Sequence, residues 1–299
     1  MRALTVLIAA TMAMAACSEA APAPAAASPQ FDRASADLVE HGRRLSAVLG
    51  CSGCHGADLT GENWSEPGFG RLWTSNLTQA VPTYTDAQLA ATIRGGTRPD
   101  GSELWEMPAH IFTQLTDDDM AAVIAFMRSR PPVGAVHPRP VFEEGARAEI
   151  AAGSFKSAKT QVAEADGTPP PDMGAEFALG RYLARATCAE CHGLDLRGGT
   201  PHPGAAARPD LRMVTAYDAA QFETLMRTGE AIGDREVGLM SEVARGRFSH
   251  FTDRELRAVH LYLQKVGIRP RTDASRLGGR EKGPRRFRRG PLVFNGKQA

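Results

Sequence analysis

Cysteine is scarce in this 299-residue chain, and four of its five cysteines fall in two short runs. Those runs are Cys51-Ser52-Gly53-Cys54-His55-Gly56 and Cys188-Ala189-Glu190-Cys191-His192-Gly193, which leaves Cys17 alone. If each run has a use of its own, no cysteines remain for a disulfide framework. Long apolar runs are also lacking. The stretch Ala3 to Ala16 is too short to span a bilayer, and no later segment reaches that length. Nothing in the chain resembles a nicotinamide, flavin or quinone-cofactor site. Net charge is only +1, but residues 276–299 carry eight Lys and Arg against the one acid Glu281, which leaves −6 for the rest. An acidic body behind an export signal argues against nucleic acid as a partner.

The two cysteine runs share the pattern C-x-x-C-H, which reads as c-type haem attachment. Cysteines three apart lie on one face of a helical turn, so both sulfurs can bond to the two vinyl groups of one haem. The next residue then offers an imidazole to the iron. A four-thiolate zinc cage is the competing reading of paired C-x-x-C motifs. The histidine and glycine that close both runs, together with the export signal, favour haem. Two covalently bound haem c groups are expected, on Cys51 and Cys54 with His55, and on Cys188 and Cys191 with His192.

Residues 1–16 read as a signal peptide. Small residues before Cys17 look like a lipoprotein cleavage site, with Met14 where leucine is usual, so lipidation of Cys17 is expected; a free or discarded thiol is the alternative. Such a lipid would place an exported protein on the periplasmic face of a membrane. The Ala/Pro/Ser-rich segment within 17–33 reads as a flexible tether. The Arg-rich stretch 271–299 reads as a disordered basic tail.

Between these ends the chain repeats itself. Leu38, Gly42, Leu45 and Leu49 recur at helical steps just before Cys51, within a helix expected over 34–49. Thr85-Asp86 caps a helix ended by Gly95-Gly96, and Thr116-Asp117 caps another stopped by Pro131-Pro132. In the second half, a helix over 175–186 leads into Cys188, Asp218 caps a helix through Met226, and Thr252-Asp253 caps the helix 256–266. Cys51 to Thr116 spans 65 residues and Cys188 to Thr252 spans 64. Near-equal offsets between matching landmarks mean two copies of one domain. The fold class expected is all-α, with domains at 34–137 and 174–270 joined by a Pro-rich linker at 138–173.

Each half resembles a class I cytochrome c domain, and the pair is similar to the diheme and multihaem cytochromes that serve bacterial dehydrogenases. The resemblance rests on Asn76-Leu77-Thr78, Arg94-Gly95-Gly96-Thr97-Arg98-Pro99-Asp100-Gly101, Met107-Pro108 and Leu115-Thr116-Asp117-Asp118-Asp119. It covers about 34–132 and 174–268. It implies that the first and last helices of each domain cross where a glycine meets an aromatic ring, Gly42 with Phe126 and Gly180 with Tyr262.

A closed haem needs a sixth ligand. In the first domain Met107, Met120, Met127 and His110 compete. The seven-residue spacing of Met120 and Met127 within a helix suggests core packing. Met107 stands in a loop before a proline, 52 residues after His55, where the resemblance places a methionine ligand. In the second domain Met213, Met226 and Met240 compete. Met240, 48 residues after His192, is favoured, with His250 as its rival. His41, His137, His202 and His260 read as ordinary surface or helix-face residues. The function expected is single-electron transfer between redox partners, with a dehydrogenase as donor and a terminal oxidase or soluble cytochrome as acceptor. A catalytic diheme enzyme, peroxidase-like or thiosulfate dehydrogenase-like, is the alternative from another class. The latter needs a cysteine ligand that only Cys17 could supply. A haem-bearing membrane-anchoring subunit is a third reading.

Overall fold

The computed structural model describes residues 28–165, 169–201 and 205–268. The segments expected as signal peptide and basic tail, Cys17 with most of the expected tether, and His202 lie outside the described residues. The described chain is mainly helical. In the first domain α1 (Leu38–Val48) runs into the short α2 (Cys51–His55), and α3 (Leu77–Ala80), α4 (Asp86–Gly95), α5 (Ala109–Phe112) and α6 (Asp117–Arg128) follow. The helix starts are written locally. Asp37 accepts from Val39 N and Glu40 N, so α1 begins at Leu38 rather than at residue 34. Thr85 and Gln88 form a reciprocal capping box on α4, and Gly96 closes that helix in the left-handed region.

Much of the segment expected as a linker is folded. It supplies β2 (Val141–Phe142), α7 (Glu144–Ala151) and α8 (Ala158–Ala165). β2 pairs antiparallel with β1 (Gly70–Arg71), and Ala158 N donates to Leu104 O at 2.8 Å. The cause is apolar. Phe142, Ile150 and Phe155 close over Phe69, Leu72, Trp64 and Trp105, forming a satellite core that covers the long loops of the first domain.

The second domain repeats the plan with α9 (Ala178–Thr187), α10 (Ala189–His192), α11 (Ala219–Thr228) and α13 (Asp253–Gly267). A small hairpin of β3 (Glu230–Ala231) and β4 (Arg235–Glu236) matches the Thr97–Glu103 bridge of the first domain, and the difference lies in α12 (Leu239–Gly246), a helix longer than its counterpart α5. In each domain the first helix crosses the last at glycine. A Cβ on Gly42 would overlap the carbonyl oxygen of Ala122, and one on Gly180 would overlap that of Ala258. Phe126 and Tyr262 stand at these crossings as expected, and a larger residue at either glycine would force the helices apart.

The two domains share one hydrophobic core and meet through matching helix positions. Arg44 on α1 and Tyr182 on α9 occupy equivalent positions, each two residues beyond its crossing glycine. Arg44 holds the buried Glu255 at the start of α13, with Nη1 to Oε2 at 2.8 Å. Tyr182 donates at 2.6 Å to the buried Asp119, at the same place on α6. The segment before α1 lies between them, with Phe31 N on Asp119 and Asp32 N on Glu255. Phe31 itself is buried against Tyr182 and Phe251, with ring centroids 5.8 and 6.4 Å away.

Candidate haem sites

Both attachment turns are built the same way, and the repetition extends beyond the motif. His55 and Gly61 close a loop through Gly61 N to His55 O at 2.7 Å, and Gly198 N meets His192 O at 2.8 Å. The glycine after each histidine has positive φ, 80° at Gly56 and 74° at Gly193, a conformation that disfavours a side chain. Three residues further on, Leu59 and Leu196 also take positive φ, 64° and 61°, although neither is glycine. Both leucines are fully buried, so the core holds them in a sparsely populated conformation. Asp58 and Asp195 brace these loops by accepting from Thr60 N and Arg197 N, each at 3.1 Å.

The imidazoles are fixed alike. His55 Nδ1 lies 2.8 Å from Ser75 O, and His192 Nδ1 lies 2.8 Å from Pro209 O. A carbonyl can only accept, so each Nδ1 carries the proton and each Nε2 keeps its lone pair for a metal. Burial lowers the pKa of both rings, so they stay neutral. Burial also pushes up the thiols, to about 11 for Cys51 and Cys188 and about 12 for Cys54, and Cys191 rises for the same reason.

A model of cytochrome c matches residues 39–131 and 177–267, once for each domain. The chain belongs to the cytochrome c family. Both matches stop short of the folded segment between the two domains. The cytochrome is 26% identical over 271 residues to the cytochrome c subunit of a quinone alcohol dehydrogenase from Gluconacetobacter polyoxogenes, a match covering 79% of this chain and 58% of that one. It is 26% identical over 260 residues to the fructose dehydrogenase cytochrome subunit of Gluconobacter japonicus, covering 76% and 52%. The aligned region is thus little more than half the length of those relatives. The family carries covalently bound haem c and transfers electrons.

The side chains of this cytochrome fit that group. Each turn offers two free thiols and one imidazole with an oriented lone pair. A zinc cage would need the cysteines to converge. Among the described residues no three His, Cys, Asp or Glu side chains are grouped to hold a metal ion.

The methionines separate by burial. Met120, Met127 and Met226 are buried in the core, and Met213 is exposed. Met107 and Met240 are half-buried at the core's edge, as are Cys51 and Cys188. Met107 follows Glu106, which has a φ of 61°, and Met240 is the second residue of α12, two residues after Gly238, which has a φ of 60°. His250 is exposed beside Arg43 and Arg44 of the first domain, and its own carbonyl accepts from Arg44. His110 is half-buried, and its Nδ1 has no partner among the described residues. His41 and His260 lie on helix faces as expected, but both are buried, and His260 Nε2 contacts Tyr217 O at 3.0 Å. His137 packs on Trp73 with ring centroids 4.3 Å apart.

The sequence pattern gives no hint of Arg247, which follows α12. Its Nη1 donates to Glu190 inside the second attachment turn at 2.7 Å, and its Nε donates to Val48 O just before the first at 3.2 Å. Nothing in the linear order joins Arg247 to Cys51. Only the folded chain brings them together.

Proposed function

We propose that this cytochrome is an exported two-haem electron carrier that takes single electrons from a dehydrogenase and passes them to a terminal oxidase or soluble cytochrome. Each haem, when bound, supplies a one-electron iron couple. The observation that carries the reading is that both attachment turns border the same domain interface and meet at one ion pair, Arg247 with Glu190. A chain that serves as a relay needs its two centres near each other, and a chain of two independent carriers does not. The names of the alcohol and fructose dehydrogenase cytochrome subunits support a dehydrogenase as donor.

Within this reading Cys51, Cys54, Cys188 and Cys191 bond the two haems, His55 and His192 are the proximal ligands, and Met107 and Met240 close the far sides. The half-burial of both methionines at the core edge supports this choice, and the exposure of His250 argues against it as the sixth ligand. Two closed irons favour transfer over the catalytic alternative, which requires an open or displaceable position. The test is spectroscopic. The reduced protein should not bind carbon monoxide. Met107→Ala should bind it at one haem and show a lower reduction potential there, because thioether ligation raises the potential. Met240→Ala should do the same at the other haem, while His250→Ala should change nothing. If the potential and the far-red sulfur–iron absorption survive in Met107→Ala, that ligand assignment is wrong.

No helix among the described residues is long and apolar enough to cross a membrane. The anchor in this reading is a lipid on Cys17, at the end of the short apolar run Ala3 to Ala16. Cys17→Ser is expected to move the protein from the membrane to the soluble fraction with both haems retained. A variant that stays membrane-bound would make a separate partner protein the anchor instead.

A further inference from the structure

The two attachment turns differ by one residue. Gly42 and Gly180 are equivalent at the helix crossings, yet Cys51 follows nine residues after Gly42 and Cys188 only eight after Gly180. In the second domain α9 runs through Thr187 to Cys188, which is itself in the right-handed helical region. In the first domain α1 stops at Val48, and Gly50 turns left-handed with a φ of 83° before the cysteine. That break frees the carbonyl of Val48 and opens a notch beside Gly50. The guanidinium of Arg247, from the other domain, fills it. A Cβ on Gly50 would lie 2.6 Å from Arg247 Cζ.

Arg247 is mostly buried, with 13% of its side chain exposed, and Glu190 is 25% exposed. Burial works against the charge of Arg247, but the attraction and hydrogen bond of Glu190, with the nearby attachment cysteines, leave its pKa above the ordinary value. The guanidinium is within electrostatic reach of all four attachment cysteines. Its Nη2 is buried without a partner among the described residues, so two of its nitrogens make both links. Arg247 also caps the C-terminal end of α12, the helix that carries Met240 as its second residue. One side chain therefore joins the entry to the first turn, the middle of the second turn and the helix bearing the proposed second axial ligand.

We propose that Arg247 is the positioning residue of the inter-haem junction: it pins the first attachment turn to the second through Val48 and Glu190, and its charge biases both redox centres together. The inference rests on the two-haem reading above. A buried cation favours the reduced state of a nearby iron, and a buried anion opposes it. Removing one member of the Arg247–Glu190 pair exposes the field of the other. The two substitutions should therefore act in opposite directions, which loosened packing would not produce.

The experiment is a spectroelectrochemical titration of the full-length holoprotein, with haem content measured by pyridine haemochrome. Arg247→Gln is expected to lower both midpoint potentials, and Glu190→Gln to raise both, with two haems retained in each case. Arg247→Lys keeps the charge and should leave the potentials near those of the parent. It cannot span Val48 O and Glu190 together, so amide exchange around residues 48–51 should speed up in both Arg247 variants. Shifts of the same sign in Arg247→Gln and Glu190→Gln, or a shift at one haem only, would overturn the charge-setting role. Unchanged exchange at 48–51 would overturn the pinning role. Finding other than two haems in the parent protein would refute the underlying reading instead. If Arg247→Gln fails to fold, Glu190→Gln and Arg247→Lys still decide the matter: an upward shift at both haems in the first and faster exchange in the second support the junction, and their absence refutes it.

Discussion

The Cys51→Ala, Cys54→Ala double variant is expected to carry one haem per chain where the parent carries two. The supports of the second turn all lie in its own domain. His192 is oriented by Pro209, its loop is closed by Gly198 and braced by Asp195, and Leu196 anchors it in the core. None of these contacts passes through Cys51 or Cys54. Losing the first haem removes a large apolar group from the first domain, so that domain should loosen while the second keeps its absorption spectrum. Pyridine haemochrome assay on the purified variant reads the count directly. A fall to zero would mean that the shared core makes the two domains one folding unit, and a count still at two would refute attachment at Cys51 and Cys54.

Much of the fold is legible in the sequence because the signals are local. Thr85, Thr116, Asp218 and Thr252 announce helix starts through their own side chains, and all four accept the expected capping bond. Gly42 and Gly180 are legible because a close helix crossing tolerates no larger residue. The fold of the linker is not legible in this way. Its apolar residues Phe142, Ile150 and Phe155 are too few and too scattered to show a period, and their partners Trp64 and Trp105 lie in loops far upstream. The helix Leu239–Gly246 escapes for a related reason: no side-chain cap marks its start, and it begins at a glycine with positive φ. The positive φ of Leu59 and Leu196 could not be read either, because leucine carries no preference for that conformation. Only the equal spacing from the two histidines would have pointed to them.

The partners across the interface were equally hidden, and they differ in strength for an electrostatic reason. Glu255 is fully buried and accepts four hydrogen bonds, two from Arg44 and one each from Asp32 N and Thr252 N. Arg44 is itself only 11% exposed. Glu255→Ala would strand that guanidinium in the interface and orphan two backbone donors. Breaking a buried ion pair by removing one partner costs about 3–5 kcal/mol, because the remaining charge stays desolvated. Asp119 holds the equivalent place on α6 but binds neutral donors, Tyr182 Oη at 2.6 Å and Phe31 N at 3.1 Å. Asp119→Ala leaves unsatisfied neutral groups and should cost less, about 1–3 kcal/mol. Urea denaturation of both holoprotein variants, followed by helix signal and by haem absorption, measures the difference. Glu255→Ala is also expected to separate one unfolding transition into two, since Arg44 and Asp32 tie the second domain to the first. Equal losses in the two variants would mean that Arg44 finds water or another acceptor once Glu255 is gone, and that the charge on this side of the interface contributes no more than the phenol on the other.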